Sequence, residues 1–268
     1  MFISIFPVRP VFPASMSALR NLLIGTGLYR PARAVRRLFQ PASARRRARA
    51  VADFYRALVP PDALVFDLGA NVGQVSEALL RAGARVVAVE PQPECLAELR
   101  ARCGLSPRLV VLPAVVTGAP GVATLHLRGH HAASSLRRDW LGDAVGTLDV
   151  PAVTLAALIE RYGPPAYCKA DVEGAEEEVF STLPHPLPLV SFEYHRGWLD
   201  RAAACLRMLA AGHDAEVNLT HAWPPRFALD AWIPADEFID TVADRLGGPG
   251  APAWGDLWVR TRSAARAR

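Results

Sequence analysis

The chain has 268 residues, 51% of them hydrophobic and 21% charged, with 30 basic against 26 acidic side chains and a formal net charge of +4. Such usage excludes a largely disordered or fibrous chain, and the length suits one α/β domain with an extension. The cysteines, Cys95, Cys103, Cys168 and Cys205, form no CxxC pair and no dense framework, which argues against a zinc ribbon or a disulfide-stapled fold and for reduced thiols.

Residues 1–50 read as an arginine-rich, partly helical extension, and 51–268 as the folded domain. The apolar start is broken by Arg9, Arg20 and three prolines, short of the ~20 apolar residues that span a bilayer. Positive charge follows the apolar stretch instead of preceding it, unlike a signal peptide, so no transmembrane segment and a cytoplasmic location are expected. Basic residues concentrate between Arg30 and Arg56 without interleaved aromatics. That pattern reads as a solvated helical face, with at most a weak contact to an anionic membrane surface, and nucleic acid is not the expected partner. Helices are expected at Ser15–Leu28 and Ala44–Leu58, the second closed by Pro60-Pro61.

Beyond that break, short β-rich runs alternate with helical patterns, the signature of βαβ units and a mainly parallel sheet. Strands are expected at Leu64–Asp67, Arg85–Glu90, Leu109–Leu112, Tyr167–Asp171 and Leu189–Tyr194. Helices fit between them at Val72–Arg81, Pro93–Arg102, Thr154–Arg161 with Thr154 as cap, Ala175–Leu183 and Trp198–Ala211. Val115–Leu127 reads as a hairpin around Gly118-Ala119-Pro120-Gly121. In the tail, β-like runs at Ala215–Leu219, Arg226–Trp232 and Asp256–Arg260 surround a helix near Ala235–Leu246 and would complete the sheet as an antiparallel edge.

The sharpest motif is VFDLGANVG, Val65–Gly73: a buried strand, an acid, then a glycine turn feeding a helix. In open α/β sheets a ligand sits beyond the carboxyl ends of the strands, and such a turn lets backbone approach it closely. The dinucleotide spacing GxGxxG fails from Gly69, since Asn71 and Gln74 stand where glycines are needed, and no phosphate-loop GK[ST] follows Gly73. What remains is a loop for a ligand with an amino-acid end and no phosphates. Asp67, Gly69, Asn71 and Gly73 would receive that end. Glu90, followed by Pro91 at the end of the second strand, would accept from ribose hydroxyls. Together they describe an adenosyl amino acid.

YCKADVEGAEEEVF, Tyr167–Phe180, repeats the geometry at the fourth strand, placing Asp171 across the switch point from Asp67. Lys169 is the only lysine in a chain otherwise built with arginine, which suggests a role that a guanidinium cannot fill. Asp171, with Glu173 beside it, is the first candidate to position or deprotonate an acceptor. Glu193 and His195, two apart at the end of the fifth strand, point to one face, and His195 is a second candidate base. The loop His130–Ser135 is placed to cover an acceptor. His130-His131 lacks a third ligand at a recognisable spacing, so no metal is expected. Trp198, Trp223, Trp232, Trp254 and Trp258 read as core or edge packing.

With these elements in place, the chain resembles the FkbM family of methyltransferases. The resemblance rests on VFDLGANVG, VVAVEP at Val86–Pro91, a hairpin after Pro113, Ser134-Ser135-Leu136, VTL at Val153–Leu155 and KADVEGAEEEVF at Lys169–Phe180, and runs from Val51 to His195. The family often has TLD where this chain has Thr154-Leu155-Ala156, and K-I-D where Ala170 stands. The resemblance implies a Rossmann-like class I methyltransferase fold with a mainly parallel seven-stranded sheet, S-adenosyl-L-methionine as methyl donor, and O-methylation of a hydroxyl on a small-molecule or saccharide acceptor. An RNA methyltransferase using the basic extension and a non-catalytic scaffold that keeps the fold are the competing readings.

Overall fold

A computed structural model describes residues 41–261, apart from Leu105, Leu141 and Pro249, together with Thr26. The helix expected at Ser15–Leu28 and most of the arginine-rich extension lie outside the described residues. The chain divides into two compact units, Met1–Ala42 and Ser43–Arg268, and everything below concerns the second.

Helix α1, Ala42–Leu58, belongs almost entirely to this unit. Arg45, Arg46, Arg47 and Arg49 are exposed, while Val51, Ala52 and Tyr55 are buried, so the basic run is the solvated face of a helix whose other face is core. Next come β1 (Leu64–Leu68), α2 (Gln74–Ala82), β2 (Arg85–Val89), α3 (Pro93–Cys103) and β3 (Leu109–Leu112). The chain continues with β4 (Val115–Val116), β5 (Gly121–Leu127), β6 (Gly146–Val153), α4 (Leu155–Tyr162), β7 (Tyr167–Ala170) and α5 (Glu176–Ser181). It closes with β8 (Leu189–His195), α6 (Leu199–Ala210), β9 (Ala215–Thr220), β10 (Ile233–Pro234), α7 (Ala235–Gly247) and β11 (Trp254–Thr261).

The main sheet has the order β10-β9-β11-β8-β7-β1-β2-β3. Strands β3, β2, β1, β7 and β8 run parallel, and β11, β9 and the two-residue β10 add the antiparallel edge. From β1 the chain winds outward through β2 to β3 and then returns to β7 on the other side, so the topological switch point lies between β1 and β7. That is where α/β sheets bind ligands.

Period-two alternation sorts the strand residues between two cores. Leu64, Phe66 and Leu68 join one cluster with residues of α4 to α7. Val65, Val86, Ala88, Tyr167 and Trp258 join the other with residues of α1, α2 and α3. In the second core the Tyr167 and Trp258 rings stack at 5.2 Å, with Phe54, Tyr55 and Phe227 around the indole.

Three sequence expectations are corrected. The sheet has eight strands where seven were expected, because the two-residue β10 pairs with β9 at its edge. Val115–Leu127 is not a hairpin of two adjacent strands, because β6 lies between its halves in a separate sheet of order β4-β6-β5. Val115 and Val116 pair parallel with Ala152 and Val153, while Gly121–Leu127 pairs antiparallel with Gly146–Ala152. Strand β6 was hidden because Asp149 and Pro151 interrupt its apolar alternation; both are exposed, while Val150 and Ala152 are buried. Arg226–Trp232 forms no strand. There the Asn218 side chain bonds the backbone of Leu229 and Ala231 in place of a ladder. Trp232 joins the aromatic core as expected.

Candidate functional site

The turn after β1 is set by backbone conformation. Gly69 (φ 75), Asn71 (φ 50) and Gly73 (φ 75) are all left-handed, a region open to glycine and tolerated by asparagine. The amides of Gly69 and Ala70 both donate to the Val89 carbonyl, at 2.9 and 3.0 Å. A Cβ on Gly69 would lie 1.8 Å from the Asp171 carbonyl oxygen, so this position joins the two motifs directly.

Asp67 is 1% exposed. Ser76 donates to its Oδ2 at 2.5 Å, while Oδ1 is buried and has no partner among the described residues. Burial raises the Asp67 pKa; the nearby Lys169 charge and the Ser76 hydroxyl oppose the rise. Glu90 accepts from the amides of Asn71 (2.9 Å) and Gln92 (2.8 Å), and burial pushes its carboxyl up to about 7 against those bonds. Pro91 follows it at the mouth of the same turn, and Gln92 bonds the loop at His131 and Ser134.

Across the switch point, Lys169 is buried in the row of side chains that includes Asp67 and pairs with Asp171 at 2.7 Å. Burial opposes its charge, but Asp171, Asp256 and Asp67 outweigh that and raise its pKa above the ordinary lysine value. One cation therefore serves three carboxylates. Asp256, on β11, is pushed up to about 7 by burial, with Lys169 opposing.

After Asp171 the chain turns through Glu173 (φ 54) and Gly174 (φ 95). Glu176 stabilises the turn by accepting from the amides of Val172 and Gly174. Glu173 is held at three points: Ser135 donates to its carbonyl at 2.5 Å, the Trp140 indole to its carboxylate at 2.9 Å, and Gly174 beside it leaves room for the Trp140 ring, where a Cβ would approach to 2.5 Å. Burial, then Glu193 and Asp171, raise the Glu173 pKa well above the carboxylate range.

Glu193 and His195 do share a face of β8, with His195 Nε2 and Glu193 Oε2 3.2 Å apart. Burial opposes protonation of His195, but the Glu193 carboxylate outweighs it and raises the pKa. Above them Trp140 and Trp198 stack at 4.3 Å, each presenting to His195 a near-perpendicular contact. Glu193, His195, Tyr194, Trp140, Trp198 and Arg201 are among the residues lining a small cleft open to solvent.

All the residues expected at the site thus lie at the carboxyl ends of β1, β2, β7 and β8. The loop His130–Ser135 packs against both halves through Gln92 and Glu173. Trp198, read from the sequence as packing, belongs to the cleft. Trp140, Gln92, Ser76 and Asp256 carried no local signal, since none falls in a motif or a periodic face. His130 and His131 stack on each other and join no cluster able to hold a metal among the described residues; Glu173, Glu193 and His195 do, with one ligand atom from each within 4.8 Å of the others.

A family model described as the methyltransferase FkbM domain matches residues 67–218. No curated protein matches the sequence significantly. Among solved structures, precorrin-6Y C5,15-methyltransferase from Geobacter metallireducens is 14% identical over 81% of this chain and 86% of its own, with a TM-score of 0.41. A ribosomal protein L11 methylase from Lactobacillus delbrueckii is 12% identical over 84% and 81%, with a TM-score of 0.42. A TehB-like SAM-dependent methyltransferase from Corynebacterium glutamicum is 11% identical over 80% and 88%, with a TM-score of 0.41.

Proposed function

The chain belongs to the FkbM family of S-adenosylmethionine-dependent methyltransferases, and on that premise we propose that it O-methylates a hydroxyl on a sugar, glycoside or secondary metabolite. The residues present fit the cofactor. Asp67 keeps a buried carboxylate oxygen without a partner beneath the glycine turn, which suits an ammonium or amide donor on the ligand. Gly69, Asn71 and Gly73 shape the turn, and Glu90 with Pro91 ends the next strand where ribose hydroxyls would donate.

When bound, the cofactor supplies an electrophilic methyl on a sulfonium, so that the acceptor oxygen gains the carbon as the carbon–sulfur pair returns to sulfur. The protein's part is then orientation and proton removal. Lys169 orients Asp171 through their 2.7 Å contact, and Asp171 takes the hydroxyl proton. Glu173, Glu193 and His195 engage the acceptor's polar groups at the cleft, with Trp140 and Trp198 as its apolar wall.

The observation that carries this reading is the convergence at the carboxyl ends of the parallel strands: the unsatisfied acid near the end of β1, the acid after β2, and the acid–imidazole cluster at β7 and β8. Calorimetric titration with S-adenosylhomocysteine tests the first half. Micromolar binding that vanishes in an Asp67→Ala, Glu90→Ala double variant is expected, and no binding by folded wild-type protein would overturn the assignment. Methyl transfer to glycosides and polyketides but not to RNA is the expected outcome of an acceptor screen.

A further inference from the structure

We infer that the Tyr55 hydroxyl, carried to the site by α1, donates to the carboxylate at the amino-acid end of S-adenosylmethionine. This rests on the methyltransferase reading above and adds the first helix of the folded unit to the cofactor site.

The turn after β1 has no backbone donor left for that carboxylate. The amides of Gly69 and Ala70 go to the Val89 carbonyl, that of Asn71 to Glu90, that of Val72 to the Asn71 side chain, and that of Gly73 to the Ala70 carbonyl. Asp67 is an acceptor and suits the ligand's ammonium. A carboxylate at this turn must therefore take its donors from side chains, and a hydroxyl is one of the few that can serve.

Tyr55 is placed to supply one. It is 3% exposed, and its ring centroid lies 6.1 Å from that of Tyr167 and 6.5 Å from that of Trp258. Tyr167 stands two residues before Lys169 on one face of β7, and Trp258 two residues after Asp256 on β11, so Tyr55 packs one row short of the charged groups of the site. Burial, then Asp256, raise the Tyr55 pKa, while Lys169 opposes them and Asp67 and Asp171 add to the rise. The hydroxyl therefore stays protonated, as a donor must. Val51, one turn earlier, and Val59, whose amide bonds the Tyr55 carbonyl at 2.8 Å, are buried in the same core and fix the helix.

Packing alone does not account for the hydroxyl. Phe54 meets the Trp258 indole at 5.4 Å without one, and a buried tyrosine hydroxyl ordinarily finds a partner. That of Tyr55 bonds no side chain or backbone group among the described residues. An incoming carboxylate would satisfy it, while Asp67 Oδ1, also without a partner there, takes the ammonium. The two charges of the amino-acid end are thus received from α1 and from β1.

The test is calorimetric titration of the full chain and of Tyr55→Phe with three ligands. These are S-adenosylhomocysteine, its analogue lacking only the carboxylate, and methylthioadenosine, which keeps the nucleoside and sulfur but has no amino-acid end. Because Tyr55→Phe keeps the ring, its denaturation midpoint should stay near that of the wild type. S-adenosylhomocysteine should bind the variant about tenfold more weakly, and methylthioadenosine within about twofold of the wild type. The decarboxylated analogue should already bind the wild type about tenfold more weakly than S-adenosylhomocysteine and lose nothing further in the variant. Equal S-adenosylhomocysteine affinity in the two proteins, or equal weakening of it and of methylthioadenosine, would overturn the contact. So would wild-type protein that binds the decarboxylated analogue as tightly as S-adenosylhomocysteine, a result that needs no variant. If folded wild-type protein binds none of the three, the methyltransferase reading falls and the contact with it.

Discussion

Gly69 and Asp171 are in such close approach that a Cβ on the glycine would sit 1.8 Å from the aspartate's carbonyl oxygen. The contact locks the turn after β1 to the end of β7, and no side chain can be added without moving one of them. Gly69→Ala should therefore destabilise the protein by about 3 kcal/mol or more and abolish S-adenosylhomocysteine binding. Gly83 is also left-handed (φ 102), but its nearest atom would be 3.9 Å away, so Gly83→Ala should cost only about 1 kcal/mol. Urea denaturation of both variants checks the difference.

Glu90 predicts opposite pH trends for stability and for binding. Its carboxyl is raised from 4.5 to about 7 in the folded protein, chiefly by burial. The folded state thus holds a proton that the unfolded state releases, and this group's contribution to stability falls as pH rises from about 4.5 to 7 and is level above that. Ribose hydroxyls instead require the carboxylate, so S-adenosylhomocysteine should bind about tenfold more weakly at pH 6 than at pH 8. Calorimetry across that range should show the slope in the wild type and a flat, weaker response in Glu90→Gln.

Lys169→Met should be costly despite a similar shape. It leaves Asp67, Asp171 and Asp256 without their shared cation, and stranding buried charge costs about 3 to 5 kcal/mol. The loss should appear in the denaturation midpoint even without cofactor. Full stability in Lys169→Met would show that the cation is not needed to hold these acids together.

Trp258 stacks on Tyr167 and is 1% exposed at the centre of the aromatic core. Trp258→Ala should cost about 3 to 5 kcal/mol, and Trp258→Phe about 1 to 2. Because the Thr220 hydroxyl that accepts from the indole also donates to Asp256 at 3.2 Å, Thr220→Val should recover little in the Trp258→Phe background. Thermal denaturation of the single and double variants checks this.

The sequence by itself determined the alternating strands and helices, the left-handed turn at Gly69–Gly73, the acids ending successive strands, and the shared face of Glu193 and His195. These follow from local rules: chain periodicity, the φ region that glycine allows, and the two-residue repeat of a strand. Tertiary structure alone decided the rest. Strand β6 displaced the expected hairpin because its pairing energy comes from β4 and β5 on both sides, not from its own interrupted pattern. Trp140 reached Glu173 from a loop with no motif, Asp256 met Lys169 only because β11 folds back against β8, and the acid–imidazole trio formed where the ends of β7 and β8 converge. Side chains distant in sequence acquire neighbours, dielectric surroundings and shared charge only once the sheet has closed around them, and no local pattern records that.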